Sequence, residues 1–244
     1  MASVLETLRR SMPPPRLEEC RRILCVQPHP DDTEIGAGAT VAKLARLGAE
    51  ITYLTVTDGG LGGPAEVRRE EQAAAARILG VKELLWLGFP DAGDYGEDKV
   101  RREIIRIIRE LRPDLVLTVD PWLPYEAHPD HLKTGRAASA AALLGHLPAP
   151  AGREANPGAG RSPIRGIAYY FTAAPNAFVE VGSEEWERKF AALACHRSQM
   201  DERAVAAYRM YFELKAAAFG AERAEGFKVL PREMMHCMAE AGEY

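Results

Sequence analysis

The sequence is poor in cysteine: 244 residues hold four, Cys20, Cys25, Cys195 and Cys237, with no C-x-x-C pair. That spacing excludes a disulfide framework and suits buried thiols in a reducing cytoplasm, the expected location. No apolar run approaches the roughly 20 residues that cross a bilayer. The first 20 residues, with Arg9, Arg10 and three consecutive prolines from Pro13, contain no apolar signal core. An excess of basic charge is also missing, since 31 Lys+Arg stand against 35 Asp+Glu for a net charge of −4. Without a basic surface to displace counterions, neither nucleic acid nor an anionic membrane is an expected partner. What remains, 47% hydrophobic and 27% charged residues, is the composition of a soluble globular chain.

Short β-branched runs alternate with helical periodicity. Strands are expected at Ile23–Val26, Ile51–Thr57, Glu83–Leu87, Leu115–Val119, Ile167–Thr172 and Ala177–Val181. Helices are expected over 36–47, 64–79, 97–112, 131–145, 184–195 and 201–219, with Gly48, Gly80 and Pro113 as stops. Such alternation predicts an α/β, Rossmann-like three-layer sandwich with a mostly parallel sheet. A Pro/Gly-rich loop over 148–163 is the one seam. Too little chain follows it for an independent domain. The expectation is therefore a single domain over 1–244, with an N-terminal arm over 1–20 and a C-terminal extension over 164–244.

The chemistry concentrates in two loops. The first expected strand runs into PHPDDTE, residues 28–34, and the fourth into DPWLPYEAHPDH, residues 120–131. Together they hold three of the six histidines and four aspartates. Strand-end loops flank the crevice where open α/β sheets bind ligands, provided strands one and four are neighbours. Imidazole nitrogens with a carboxylate oxygen suit Zn²⁺, and a further carboxylate beside the ligands can serve as a base. One His-Pro or Asp-Asp alone is equally a solvated turn. Two such loops at matching strand ends make a turn-only reading poor.

The PHPDDTE segment with the later HPDH resembles the PIG-L/LmbE-like zinc-dependent de-N-acetylases. The likeness extends over residues 20–236, through Thr57-Asp58-Gly59, Arg68 with Glu71, Leu87-Gly88 with Asp91, His196-Arg197-Ser198-Gln199 and Ala224-Glu225-Gly226-Phe227. Within the family, ILCVQPHPDD, CHRSQ and EGFKVLP are most similar to the diacetylchitobiose deacetylase branch. The resemblance implies a zinc-dependent hydrolase that removes the acetyl group from a small N-acetylglucosamine-type sugar. It implies His29, Asp32 and His131 as Zn²⁺ ligands and Asp31 as general base. It places His128 where a histidine stabilises the oxyanion or protonates the leaving amine, and Asp130 as a carboxylate that holds a ligand or catalytic imidazole. It also implies a homo-oligomer, trimer or hexamer, in which His236 from the tail reaches a neighbouring subunit's site. The alternative for the tail is that it caps its own core.

Other residues carry two readings each. Arg68 is either a sugar contact or a salt-bridged surface residue, and Trp122 either stacks on a pyranose or packs its loop. Asp120 and Glu34 support the metal shell or are plain loop carboxylates. Asp58 and Asp91 sit where Asp turns occur anyway. His196 reads as structural or pocket support, and His146 as exposed and inert. Gly36-x-Gly38 is too short for a dinucleotide fingerprint. The competing functions are a non-catalytic metal- or sugar-binding module and a metallo-phosphoesterase on the same fold.

Overall fold

The computed structural model describes residues 3–147 and 163–244. Most of the loop expected over 148–163 lies outside the described residues. In chain order the elements are α1 (Val4–Ser11), β1 (Arg22–Gln27), α2 (Asp32–Arg46), β2 (Glu50–Thr57), α3 (Ala65–Leu79), β3 (Glu83–Phe89), α4 (Glu97–Leu111), β4 (Leu115–Val119), α5 (Pro129–Leu144), β5 (Gly166–Tyr170), β6 (Ala177–Glu180), α6 (Ser183–Leu193), α7 (Glu202–Ala218) and β7 (Ala224–Pro231).

The strands form one seven-stranded sheet in the order β3-β2-β1-β4-β5-β7-β6. The first five are mutually parallel, and β7 runs antiparallel to both of its neighbours. Alternate residues of the central strands feed opposite cores. Ile23, Cys25, Tyr53 and Leu117 pack with Val41, Leu44 and Leu79 of α2 and α3. Leu24, Val26, Leu54 and Val116 pack with Ile104, Ile108 and Ala138 of α4 and α5. A sheet covered on both faces must be apolar on both, which is why these strands read as continuous hydrophobic runs. A third cluster, Trp186, Phe190 and Phe212 among its members, joins α6 and α7.

Two expectations need correction, the start of α2 and the exposure of His146, and two elements, β7 and α1, were not expected. The helix expected from residue 36 begins at Asp32, because Asp32, Thr33 and Glu34 are buried in its first turn. Acidic side chains favour the positive end of a helix, so the polar stretch taken as loop is the helix start. The segment 224–231 is a strand, inserted between β5 and β6. The N-terminal arm contains α1, closed by a Ser3–Glu6 capping box and packed through Leu5 and Leu8 on the α4/α5 side. His146 is half-buried rather than exposed.

The two glycines of Gly36-x-Gly38 have a packing reason. A Cβ at Gly36 would lie 2.2 Å from the Tyr170 ring, and one at Gly38 would lie 3.1 Å from Lys189 Cγ. They let α2 approach β5 and α6.

Strand order reverses between β1 and β4, which are hydrogen-bonded neighbours. This is the topological switch point, and the loops carrying both histidine motifs leave the sheet there.

Candidate active site at the ends of β1 and β4

Asp32 sits at the first turn of α2 and bridges the two loops. Its Oδ2 accepts the His29 backbone N–H at 2.8 Å and lies 3.3 Å from His29 Nδ1. Its Oδ1 lies 3.3 Å from His131 Nε2. Burial alone would raise this carboxyl, but His131 and then His29 hold it well below the usual aspartate range. His131 stands in the first turn of α5, a helix that starts at Pro129 with His128 as N-cap. His128 Nδ1 accepts the Asp130 backbone N–H at 3.3 Å, and Glu126 accepts the His128 N–H at 2.8 Å. The rings of His29 and His128 lie 4.6 Å apart, and those of His128 and His131 5.1 Å apart.

Behind His29 stands a second pair of carboxylates. Its Nε2 lies 3.2 Å from Asp91 Oδ1 and 3.3 Å from Asp130 Oδ2. Asp130 is fully buried and accepts the Tyr95 hydroxyl and the Ala92 N–H, both at 2.7 Å. Asp91 and Asp130 face Nε2 and Asp32 faces Nδ1, so the ring is held between carboxylates at both nitrogens. Burial lowers the His29 pKa, but hydrogen bonds to Asp130 and Asp32 outweigh it and lift the value to about 10. His131 is raised for the same reason, through Asp32. The cluster therefore draws positive charge to itself.

His29, Asp32 and His131 offer ligand atoms within 4.8 Å of one another. A nitrogen–oxygen–nitrogen donor set fits a divalent cation of the zinc type. A second grouping of His29, Asp91, His128 and Asp130 satisfies the same distance test. Its carboxylates are already committed to His29 Nε2, Tyr95, Ala92 and the Leu61 N–H, so it reads as the support that orients His29.

Asp31 adopts φ 106°, a left-handed conformation that side chains rarely take. Two neighbours hold it there. Arg68 Nη2 reaches Asp31 Oδ2 at 3.3 Å and also donates to the Pro30 carbonyl at 2.6 Å, while Nη1 donates to the Gly59 carbonyl. Gln72 Oε1 accepts the Asp31 backbone N–H at 3.2 Å. The same oxygen accepts Gln27 Nε2 at 3.0 Å, and Gln72 Nε2 donates to Glu34 at 2.5 Å. Burial and the adjacent Asp32 push the Asp31 carboxyl well above the ordinary aspartate range, against the pull of His196 and Arg68.

A cavity of about 320 Å³ opens over these groups, lined by His29, Asp31, Leu61, Arg68, Asp91 and His128 among others. The motifs 68–71 and 196–199 are tied together at its rim. Ser198 donates twice to Glu71, and Gln199 Nε2 donates to the Gly62 carbonyl at 2.6 Å. His196 is fully buried, with Nε2 at 3.9 Å from Glu34 Oε1.

The remaining candidates lie elsewhere. Asp120 Oδ1 accepts the Trp122 N–H, and both residues line a separate cavity of about 660 Å³ with Tyr169 and Lys228. They flank the site loop without joining the histidine cluster. His236 is exposed beside Cys237 and does not line its own chain's cavity, whereas Met234 and Tyr244 of the same tail are buried in the α4/α5 core. Gln27, Gln72, Tyr95 and Glu126 are part of the site and were not singled out from the sequence. The only signal for Gln72 was its i+4 spacing from Arg68 on α3.

A family model described as GlcNAc-PI de-N-acetylase, PIG-L, matches residues 24–142. A diacetylchitobiose deacetylase of Thermococcus kodakarensis is 36% identical over 231 residues, covering 89% of this chain and 86% of that protein. The chain belongs to the PIG-L family. Its fold matches the solved N,N'-diacetylchitobiose deacetylase of Pyrococcus horikoshii with a TM-score of 0.88 at 31% identity, over 98% of this chain and 97% of that one. A 1D-myo-inositol 2-acetamido-2-deoxy-alpha-D-glucopyranoside deacetylase of Thermobispora bispora is 33% identical over 67% of this chain and 63% of that protein. As a PIG-L member the protein is an enzyme of the deacetylase class.

Proposed function

We propose that the protein hydrolyses the acetamide of an N-acetylglucosamine-type sugar, releasing acetate and the free amine, with Zn²⁺ held by His29, Asp32 and His131. The observation that carries this reading is the His29–Asp32–His131 donor set beside a buried, basic Asp31. When bound, the metal supplies carbonyl polarisation and acidifies water toward a pKa of about 7.

The side chains supply the rest. Asp31, raised by burial and pinned by Arg68 and Gln72, takes the proton of the attacking water and carries it to the departing amine nitrogen. His128 is lowered by burial and by the neighbouring His29 and His131, which favours the neutral ring. Since its Nδ1 accepts from Asp130, its proton rests on Nε2, the form that donates to a developing oxyanion. Arg68 serves Asp31 first, and its remaining reach is to sugar hydroxyls. Diacetylchitobiose is the substrate to test first, given the 36% identical relative.

The protein works as a single-domain cytoplasmic homo-oligomer in this reading. The tail supports it: Met234 and Tyr244 dock on their own chain while His236 is exposed beside Cys237, outside that chain's own cavity. No helix among the described residues is long and apolar enough to cross a membrane. Amine release from N-acetylglucosamine, diacetylchitobiose and an N-acetylglucosaminyl-inositol, run alongside metal analysis of His29→Ala and His131→Ala, tests the assignment. Release from none of the three by zinc-loaded protein, or unchanged zinc content in both variants, overturns it.

A further inference from the structure

A chain of four fully buried polar side chains starts at the Asp31 backbone: Gln72 on α3, Gln27 at the end of β1, Glu34 in the first turn of α2 and His196 in the turn after α6. Burying such groups costs free energy that only paired donors and acceptors offset, so their arrangement has few alternatives. The donors all point one way. Thr33 N–H donates to Gln27 Oε1 at 3.1 Å, Gln27 Nε2 to Gln72 Oε1 at 3.0 Å, and Gln72 Nε2 to Glu34 Oε1 at 2.5 Å. Gln72 Oε1 also takes the Asp31 N–H at 3.2 Å.

An amide can turn end for end with little change of shape, whereas a carboxylate only accepts. Glu34 is therefore the end that sets the direction. With it in place, Gln72 presents oxygen and not nitrogen to the Asp31 N–H. The ion-pair partner of Glu34 is His196, whose Nε2 lies 3.9 Å from the same Oε1. Neither His196 ring nitrogen nor Glu34 Oε2 has a hydrogen-bond partner among the described residues, which leaves the Glu34 charge to Gln72 and His196. The His196 carbonyl accepts the Gln199 and Met200 N–H groups at 2.9 and 2.8 Å, so the turn that grips the cavity rim through Gln199 also holds the imidazole inside.

We infer that Glu34 and His196 are positioning residues for deacetylation: the pair fixes the direction of the Gln27–Gln72 amide chain, and that chain fixes the left-handed backbone of Asp31 and so the aim of its carboxylate. The inference rests on the reading of Asp31 as the base. Neither side chain lines the cavity, so both act through Asp31 alone. A base must sit within hydrogen-bond reach of its proton, and a misplacement of about 1 Å can cost about 10²-fold in rate.

The test is steady-state deacetylation of diacetylchitobiose by zinc-loaded variants, with hydrogen exchange of residues 30–34 followed by mass spectrometry. Glu34→Met removes the acceptor and should lower kcat about 10²-fold at unchanged KM and full zinc content. Glu34→Gln keeps an acceptor for Gln72 and should recover most of that loss. His196→Phe strands the Glu34 charge and should also lower kcat. Adding Glu34→Gln to His196→Phe removes that charge and should raise kcat above the single variant. Exchange at 30–34 should quicken in the two impaired variants and slow again in the two recovered ones. Wild-type kcat in both Glu34→Met and His196→Phe, equal losses in Glu34→Met and Glu34→Gln, or a loss that comes with loss of zinc overturns the inference. If Glu34→Met does not fold, the comparison of His196→Phe with its double variant decides. A wild type that releases no amine counts against the proposed function, and the exchange pattern then still decides whether the pair holds the Asp31 backbone.

Discussion

Replacing Gln72 by glutamate changes one atom and isolates one contact. The new carboxylate keeps an oxygen for the Asp31 N–H and for Gln27 Nε2, so the backbone anchor of Asp31 survives. Its other oxygen faces Glu34 Oε1, which Gln72 Nε2 approaches to 2.5 Å in the native protein. Two full charges at that separation repel by about 6–7 kcal/mol at an effective dielectric of about 20. Protonating one carboxyl with an ordinary pKa of about 4.3 at about pH 7 costs about 3.5 kcal/mol, so protonation wins. The folded-state pKa of the new pair is thus raised. Stability is intact below the unfolded value near 4.3 and is lost as pH rises. The variant should be about 3.5 kcal/mol less stable than wild type near pH 7 but only about 1 kcal/mol near pH 5, a gap in melting temperature of about 7–14 °C against about 2–4 °C. Thermal melts of both proteins at the two pH values read this directly. An equal deficit at both would refute the buried Gln72–Glu34 contact.

Metal-free protein should lose stability as pH climbs from the unfolded histidine value of 6.5 through about 10, because the raised pKa of His29 stabilises only the protonated fold; zinc-loaded protein melted alongside should not. Lys189→Met should destabilise by about 3–5 kcal/mol in urea titrations, since it strands Glu225, fully buried and 2.6 Å from the Lys189 ammonium. Gly36→Ala should lower stability by about 1–3 kcal/mol or more in the same assay, its methyl meeting the Tyr170 ring.

The architecture was legible wherever burial was two-sided. β4 was read residue for residue because all five of its side chains are buried and Pro113 and Asp120-Pro121 bracket it. The neighbouring of β1 and β4 was the condition on which the site's location rested, and their parallel pairing meets it. Polar residues that the fold buries were misread. Asp32–Glu34 were taken as loop because nothing local says that their carboxylates point into a sheet crevice. β7 escaped because Glu225 and Lys228 interrupt its apolar pattern, yet Glu225 is buried by Lys189 and by the N–H groups of Ala39 and Thr40. Asp58 acts as the turn residue it resembles, accepting the Gly60 N–H, while Asp91 combines a loop contact with the approach to His29. Gln72 and Tyr95 come from separate parts of the chain and meet the histidine motifs only in space, whereas Glu126 lies two residues before His128 in the same loop and was passed over.

The most direct test of the chemistry is made on Asp31→Asn, purified with zinc and assayed on diacetylchitobiose. The amide keeps the shape and the Arg68 contact region but cannot take a proton. Zinc should remain at one per chain while turnover falls about 10²–10⁴-fold, the usual worth of a positioned base. Full zinc content with near wild-type amine release would contradict the role of Asp31 and with it the mechanism.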